Sequence, residues 1–199
     1  MHIDIDDQLN LDEVLEFARE RHKGQLRADG TDYINHPIRV GRLVAQYKPS
    51  SNANILQAGC LLHDVLEDTY TSYRELCDRF GEVVASLVLE LTSSGFMPRL
   101  VGKQTYLAHK MQYMSSYALV IKLADRLDNI TDIRALRPEK IKKTFFDTIY
   151  MINYLERKRV LTTPQVNIIT AIRNRLNEIN KEYGFADSSF VADSDIDKD

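Results

Sequence analysis

At 199 residues with a formal charge of −3, the chain is long enough to bury a core as one domain and carries no global charge that would select nucleic acid or a membrane surface. The charge is uneven: from Ala186 onward the chain holds five Asp and one Lys, so the rest is close to neutral. No apolar run approaches the roughly 20 residues of a membrane span, Asp4, Asp6 and Asp7 interrupt any signal-like run, and Cys60 and Cys77 lack a CxxC partner, which predicts a cytoplasmic protein with free, buried thiols.

The periodicity is helical almost throughout. Leu11, Val14, Leu15 and Ala18 give a first helix its apolar face, with Asp12 and Glu13 favourably placed in its first turn. Gly24 to Pro37 reads as a loop with a turn at Asp29-Gly30. Pro37 opens a helix carrying Ile38, Val40, Leu43 and Val44, closed by Pro49 and Ser50. Ser51 or Asn52 caps a third helix, predicted to run to about Asp68. Thr71 or Ser72 starts another that stops near Gly81, and Val83 to Thr92 forms a short apolar helix. Ser93 to Gly102, with Gly95, Pro98 and Gly102, reads as a loop. Two helices follow over Lys103–Met114 and Tyr117–Ile133. Pro138 then opens a long one ending near Arg159, and Pro164 a last one stopping near Gly184. No segment alternates as a strand. The expectation is an all-α bundle of about eight to ten helices over 1–185, then an acidic, disordered tail over 186–199.

One stretch stands apart. His63-Asp64-Val65-Leu66-Glu67-Asp68 places four metal-binding or proton-transferring side chains in six residues, directly after the apolar Leu61 and Leu62. Charged groups on a buried helix are paired or bind a metal. On a continuous helix, Glu67 and Asp68 would lie one turn beyond His63 and Asp64, making one patch. Asp125, in the apolar helix Leu119–Leu127, is the distant carboxylate that could join them; the alternative is a surface pair with Lys122 or Arg126. His36, at a loop-to-helix junction, is the second candidate imidazole. His2, His22 and His109 are weaker candidates. Two imidazoles and two carboxylates suit Mn, Fe, Co or Zn, and the lack of Cys ligands argues against a closed structural zinc site.

The motifs, taken together, resemble the HD-domain superfamily of metal-dependent phosphohydrolases, and more narrowly its RelA/SpoT-type alarmone hydrolases. The matching pieces are His22-Lys23-Gly24-Gln25 with Arg27, Tyr33-Ile34-Asn35-His36-Pro37, Leu62 to Thr69, Lys122 to Leu127 with Asn129, and Leu136 to Lys140, in family order. The resemblance implies a helical HD fold and one Mn²⁺ held by His36, His63, Asp64 and Asp125. It implies Glu67 and Asp68 as the catalytic pair, and removal of the 3′-pyrophosphate of ppGpp or pppGpp to give GDP or GTP. The residue matching Arg27 stacks on guanine in that family, and the one matching Asn129 contacts the nucleoside. Lys103, Lys110 and Lys122 are further candidates for phosphate contacts. With no room for the synthetase and regulatory domains of the long members, the chain reads as a stand-alone small hydrolase acting on a guanine nucleotide, with a homo-oligomer left open.

The chain departs from the family at Ala28 and Asp29, where a basic and a small polar residue are common, and at Thr131, where an Arg is usual. These positions leave the substrate open. One alternative is an HD hydrolase of another nucleotide: a nucleoside monophosphate, a dNTP or a dinucleotide phosphate. Another is a module that binds alarmone without cleaving it.

Overall fold

The computed structural model describes residues 9–93 and 96–185; the acidic tail lies outside them. The described residues are helical with no strand, apart from an isolated bridge between Leu26 and Asp32. In chain order the helices are α1 (Leu11–Arg21), α2 (Asn35–Tyr47), α3 (Ala53–Leu62), α4 (Val65–Asp68), α5 (Tyr73–Leu91), α6 (Met97–Val101), α7 (Lys103–Tyr113), α8 (Ser116–Thr131), α9 (Pro138–Lys158) and α10 (Thr163–Tyr183), with a 3₁₀ turn over Ile133–Ala135. None is long and apolar enough to cross a membrane.

Local chemistry sets the ends of these helices. Asn10 accepts from the Asp12 amide at 3.0 Å to cap α1, and Ser72 accepts from Glu75 to cap α5. Thr162 and Gln165 form a reciprocal capping box on α10, and Gly184 closes that helix in the left-handed conformation. Gly81, at φ +83°, interrupts α5 with non-helical backbone where the sequence placed a stop, and a second helical stretch follows this kink, as expected.

The predicted third helix is corrected. It does not run through to Asp68 but ends at Leu62, and a separate turn of helix, α4, follows. The His63 ring donates from Nδ1 to the Cys60 carbonyl at 2.7 Å, and Asp64 adopts φ −106°, ψ −3°, which breaks the helical ladder. The expected loop over Ser93–Gly102 is corrected in its second half, where Met97–Val101 forms α6 with Pro98 in its first turn, while Gly95 lies outside the described residues. Of the two thiols, both free, Cys60 is buried but Cys77 is only half-buried.

Helix α8 is the axis of the fold, packing against α2, α3, α5, α9 and α10. Leu119, Val120, Ile121, Leu123, Ala124 and Ile130 are all inaccessible to solvent, so α8 is apolar on nearly every side. Around it lies the larger core cluster; a smaller one joins α1, α3, α4 and α5. Gly59 lets α3 close on this axis. A Cβ there would lie 2.6 Å from Leu87 Cδ2 and 2.9 Å from Ile121 Cδ1. The close approach of α2, α3 and α8 brings His36, His63 and Asp125 together.

Candidate active site

Asp125 is 5 % exposed, so the surface-pair alternative for it fails on burial. Its nearest cation is nevertheless Lys122, whose Nζ lies 2.9 Å from Oδ2. Ligand atoms of His36, His63 and Asp125 all fall within 4.8 Å of one another. His36 Nε2 is 3.3 Å from Asp125 Oδ1 and 3.8 Å from Asp64 Oδ2. Asp64 Oδ2 also comes to 2.9 Å of His63 Nε2, but off the line of a hydrogen bond, so that buried nitrogen has no hydrogen-bond partner. With Nδ1 committed to the Cys60 carbonyl, His63 turns its Nε2 toward the carboxylates. A buried ring nitrogen without a hydrogen-bond partner, facing two carboxylates, fits a shared cation, and these donors suit a divalent ion.

The electrostatics agree. Burial by itself would raise the Asp64 and Asp125 carboxyls, but His63 beside Asp64, and Lys122 with His36 beside Asp125, hold both below the usual range. Burial lowers His36, yet its hydrogen bonds to Asp125 and Asp128 outweigh that and raise it to about 9. The proton it retains is one that a cation at Nε2 would displace.

Sequence reasoning missed Asp128. It is 4 % exposed and accepts from His36 Nδ1 at 2.6 Å, while Arg39 grips its two oxygens at 2.7 and 2.9 Å. A carboxylate behind an imidazole fixes its tautomer and leaves the other nitrogen to face a ligand. The available signal was its spacing, three residues beyond Asp125 and so on the same face of α8. Tyr33, quoted only as part of a motif, is a second such residue. Its hydroxyl donates to Asp64 Oδ2 at 2.5 Å and lies 3.4 Å from Asp68 Oδ2.

Glu67 and Asp68 reach the same place by way of the helix break. The Asp64 carbonyl accepts from both of their amides, at 3.1 and 2.9 Å. Glu67 Oε2 accepts from the Ser93 amide, and the Asp68 carbonyl accepts from Gln25. Burial, then the neighbouring Asp64, pushes the Asp68 carboxyl up. Tyr33, His36, Asp64, Glu67, Asp68, Lys122 and Asp125 all line one cavity of about 300 Å³. His22, set aside at first as a weak candidate, is buried beside it, its ring centroid 4.7 Å from that of Tyr33.

A second cavity, of about 290 Å³, adjoins the first and is lined by Arg27, Ala28, Asp29, Asn129, Leu136 and Thr144, among others. Both Nη atoms of Arg27 donate to Asn129 Oδ1 at 3.1 Å, and Asn129 Nδ2 donates to Asp125 Oδ1 at 2.5 Å. Lys110 is not brought to either wall: its ammonium donates to the Thr92 carbonyl at the end of α5. Lys103, at the edge of the first cavity, sits 4.0 Å from Glu67.

Residues 14–150 match the HD domain family, and the chain belongs to it, in its RelA/SpoT-type branch. It is 38 % identical to a Xenopus tropicalis protein named guanosine-3′,5′-bis(diphosphate) 3′-pyrophosphohydrolase MESH1, over 64 % of this chain and 71 % of that one. The human protein of the same name is 39 % identical over the same shares. The Escherichia coli bifunctional (p)ppGpp synthase/hydrolase SpoT is 33 % identical over 71 % of this chain but only 20 % of its own length. Among solved structures, one described as a metazoan ortholog of SpoT that hydrolyzes ppGpp superposes with a TM-score of 0.68 at 26 % identity, covering 88 % of this chain and 96 % of that one.

Proposed function

We propose that this protein hydrolyses ppGpp or pppGpp at the 3′ position, releasing pyrophosphate and leaving GDP or GTP. The observation that carries this reading is the buried His36–His63–Asp125 trio, of which His36 and Asp125 line a cavity shared with Glu67 and Asp68, beside a second cavity of a size to take a nucleoside. It is supported by the activity that the names of the MESH1 and SpoT relatives give those proteins.

In this reading His36, His63, Asp64 and Asp125 hold one divalent cation, Mn²⁺. The chemistry such a cation supplies is polarisation of a phosphoryl oxygen and acidification of a water. Asp128 and Arg39 lock the His36 ring, and the Cys60 carbonyl locks that of His63. Glu67, fixed by the Ser93 amide, orients the attacking water. Asp68, whose carboxyl is pushed up by burial and by the neighbouring Asp64, passes a proton to the leaving 3′ oxygen. Water oxygen bonds to phosphorus, the bond from phosphorus to O3′ breaks, and its electron pair leaves on O3′, which gains the proton. In the second cavity Arg27 stacks on the base, and Asn129 contacts the nucleoside. Lys122 screens Asp125 and faces the phosphates.

A second reading keeps the chemistry and changes the nucleotide. It is favoured by Asp29 and Asp132, which line the second cavity beside Arg27 and, in the case of Asp132, pair with it at 3.7 Å, so Arg27 has little spare positive charge for further phosphates. The test is purified, Mn²⁺-loaded protein given ppGpp, pppGpp, nucleoside monophosphates, dNTPs and dinucleotide phosphates. Release of GDP and pyrophosphate from ppGpp, with little turnover of the rest, is expected. Turnover confined to another member of the panel overturns the alarmone reading and retains the second.

A further inference from the structure

Three residues line both cavities: Tyr33, Arg126 and Asn129. Tyr33 and Asn129 are each hydrogen-bonded to a carboxylate of the site. Arg126 is not. No carboxylate lies within ion-pair distance of its guanidinium among the described residues, and its hydrogen bond goes to the thioether of Met151 at 3.8 Å. Asp147, on the same wall, is held by Lys143 at 2.7 Å. Other guanidiniums nearby are compensated: Arg39 by Asp128 and Asp132, and Arg27 by the same two carboxylates at 3.9 and 3.7 Å. Burial pushes the Arg126 pKa down against the pull of Asp125 and Asp147. A partly buried guanidinium without a counter-ion is unfavourable until an anion arrives.

The position says which anion. If the nucleoside fills the Arg27 cavity and the pyrophosphate lies against the carboxylates, the group between them is the phosphate attached to ribose O3′. The geometry points to Arg126 as a catalytic residue that grips this scissile phosphate. This rests on the alarmone-hydrolase reading of the site. Its planar fork can donate to a non-bridging oxygen and to O3′ together. As water adds to phosphorus and the bond to O3′ breaks, negative charge grows on those oxygens. Arg126 stabilises it and stays protonated throughout. Being fixed on α8 directly after Asp125, it is held in register with the carboxylate cluster.

Arg126→Ala and Arg126→Lys test this with two readouts. With ppGpp, Arg126→Ala is expected to lose about 10²–10³ in kcat, with a smaller change in KM. Arg126→Lys should retain part of the rate, and added guanidinium ion should restore part of it to Arg126→Ala, while Mn²⁺ affinity and thermal unfolding match the parent protein. The second readout needs no turnover: inorganic pyrophosphate titrated into the Mn²⁺-loaded protein should bind about tenfold or more weakly in Arg126→Ala. A kcat within threefold of the parent, or a loss that guanidinium does not rescue, overturns the assignment. So does unchanged pyrophosphate affinity. If the parent protein fails to cleave ppGpp, the alarmone reading falls, and the pyrophosphate titration still decides the role of Arg126.

Discussion

The two cavities share one wall but are built differently. The first is lined from helices α2, α4, α7, α8 and α9, and its acidic and imidazole groups, with His63 behind them, are tied to backbone or to buried partners: His63 to the Cys60 carbonyl, His36 to Asp128, Glu67 to the Ser93 amide. The second is walled largely by the loop from Leu26 to Tyr33 and by the end of α8, and its principal cation, Arg27, is held by a side-chain amide. Rigid scaffolding around the chemistry and a loop around recognition let the substrate vary while the reaction stays the same. Ala28 and Asp29, where the chain departs from family habit, fall in the loop-built cavity.

If that division is real, substitutions in the two cavities should separate into kcat and KM effects. The largest effect is expected for Asp68→Asn, which should lower kcat by about 10²–10⁴ while Mn²⁺ binding and circular dichroism remain unchanged. A variant with full activity would remove Asp68 from the chemistry. Next is Asp128→Asn, which frees the His36 ring. Mn²⁺ affinity, read by calorimetry, should weaken about 10–100-fold, and unchanged affinity would show that the ring needs no such support. Arg27→Ala should raise KM for ppGpp by about tenfold with kcat changed far less. An equal loss in both would merge the two cavities into one functional unit.

The smallest effect is on stability. His36 is raised in the folded protein to about 9, from an ordinary value near 6.5. Its protonation therefore stabilises the metal-free fold fully below about pH 6.5, and that contribution is lost as pH rises through about 9. Thermal unfolding of the metal-free protein should fall across this window, and the fall should be absent in His36→Gln.

The same division explains what could be read from sequence. His63, Asp64 and Asp125 were visible because they interrupt apolar runs, and burial in a helical core makes such interruptions meaningful. The helix bounds were readable where prolines and capping residues mark them, as at Ser72, Pro138 and Pro164. The break at His63–Asp64 was not, because a ring-to-carbonyl bond and neighbouring helices impose it rather than a breaker residue. Asp128 was hidden because its meaning lies in Arg39 and His36, 89 and 92 positions away. The direction of Lys110 was not legible because a long flexible side chain can turn either way, and here it turns to the Thr92 carbonyl. Arg126 looked like a partner for its neighbour Asp125, yet consecutive residues on a helix point apart.

The most direct measurement is hydrolysis of ppGpp in ¹⁸O-labelled water by the Mn²⁺-loaded protein, with both products weighed by mass spectrometry. The account predicts one labelled oxygen in pyrophosphate and none in GDP, since water attacks the phosphorus attached to O3′ in the cavity of Glu67 and Asp68. Label in the nucleoside, release of orthophosphate instead of pyrophosphate, or no turnover at all would contradict it.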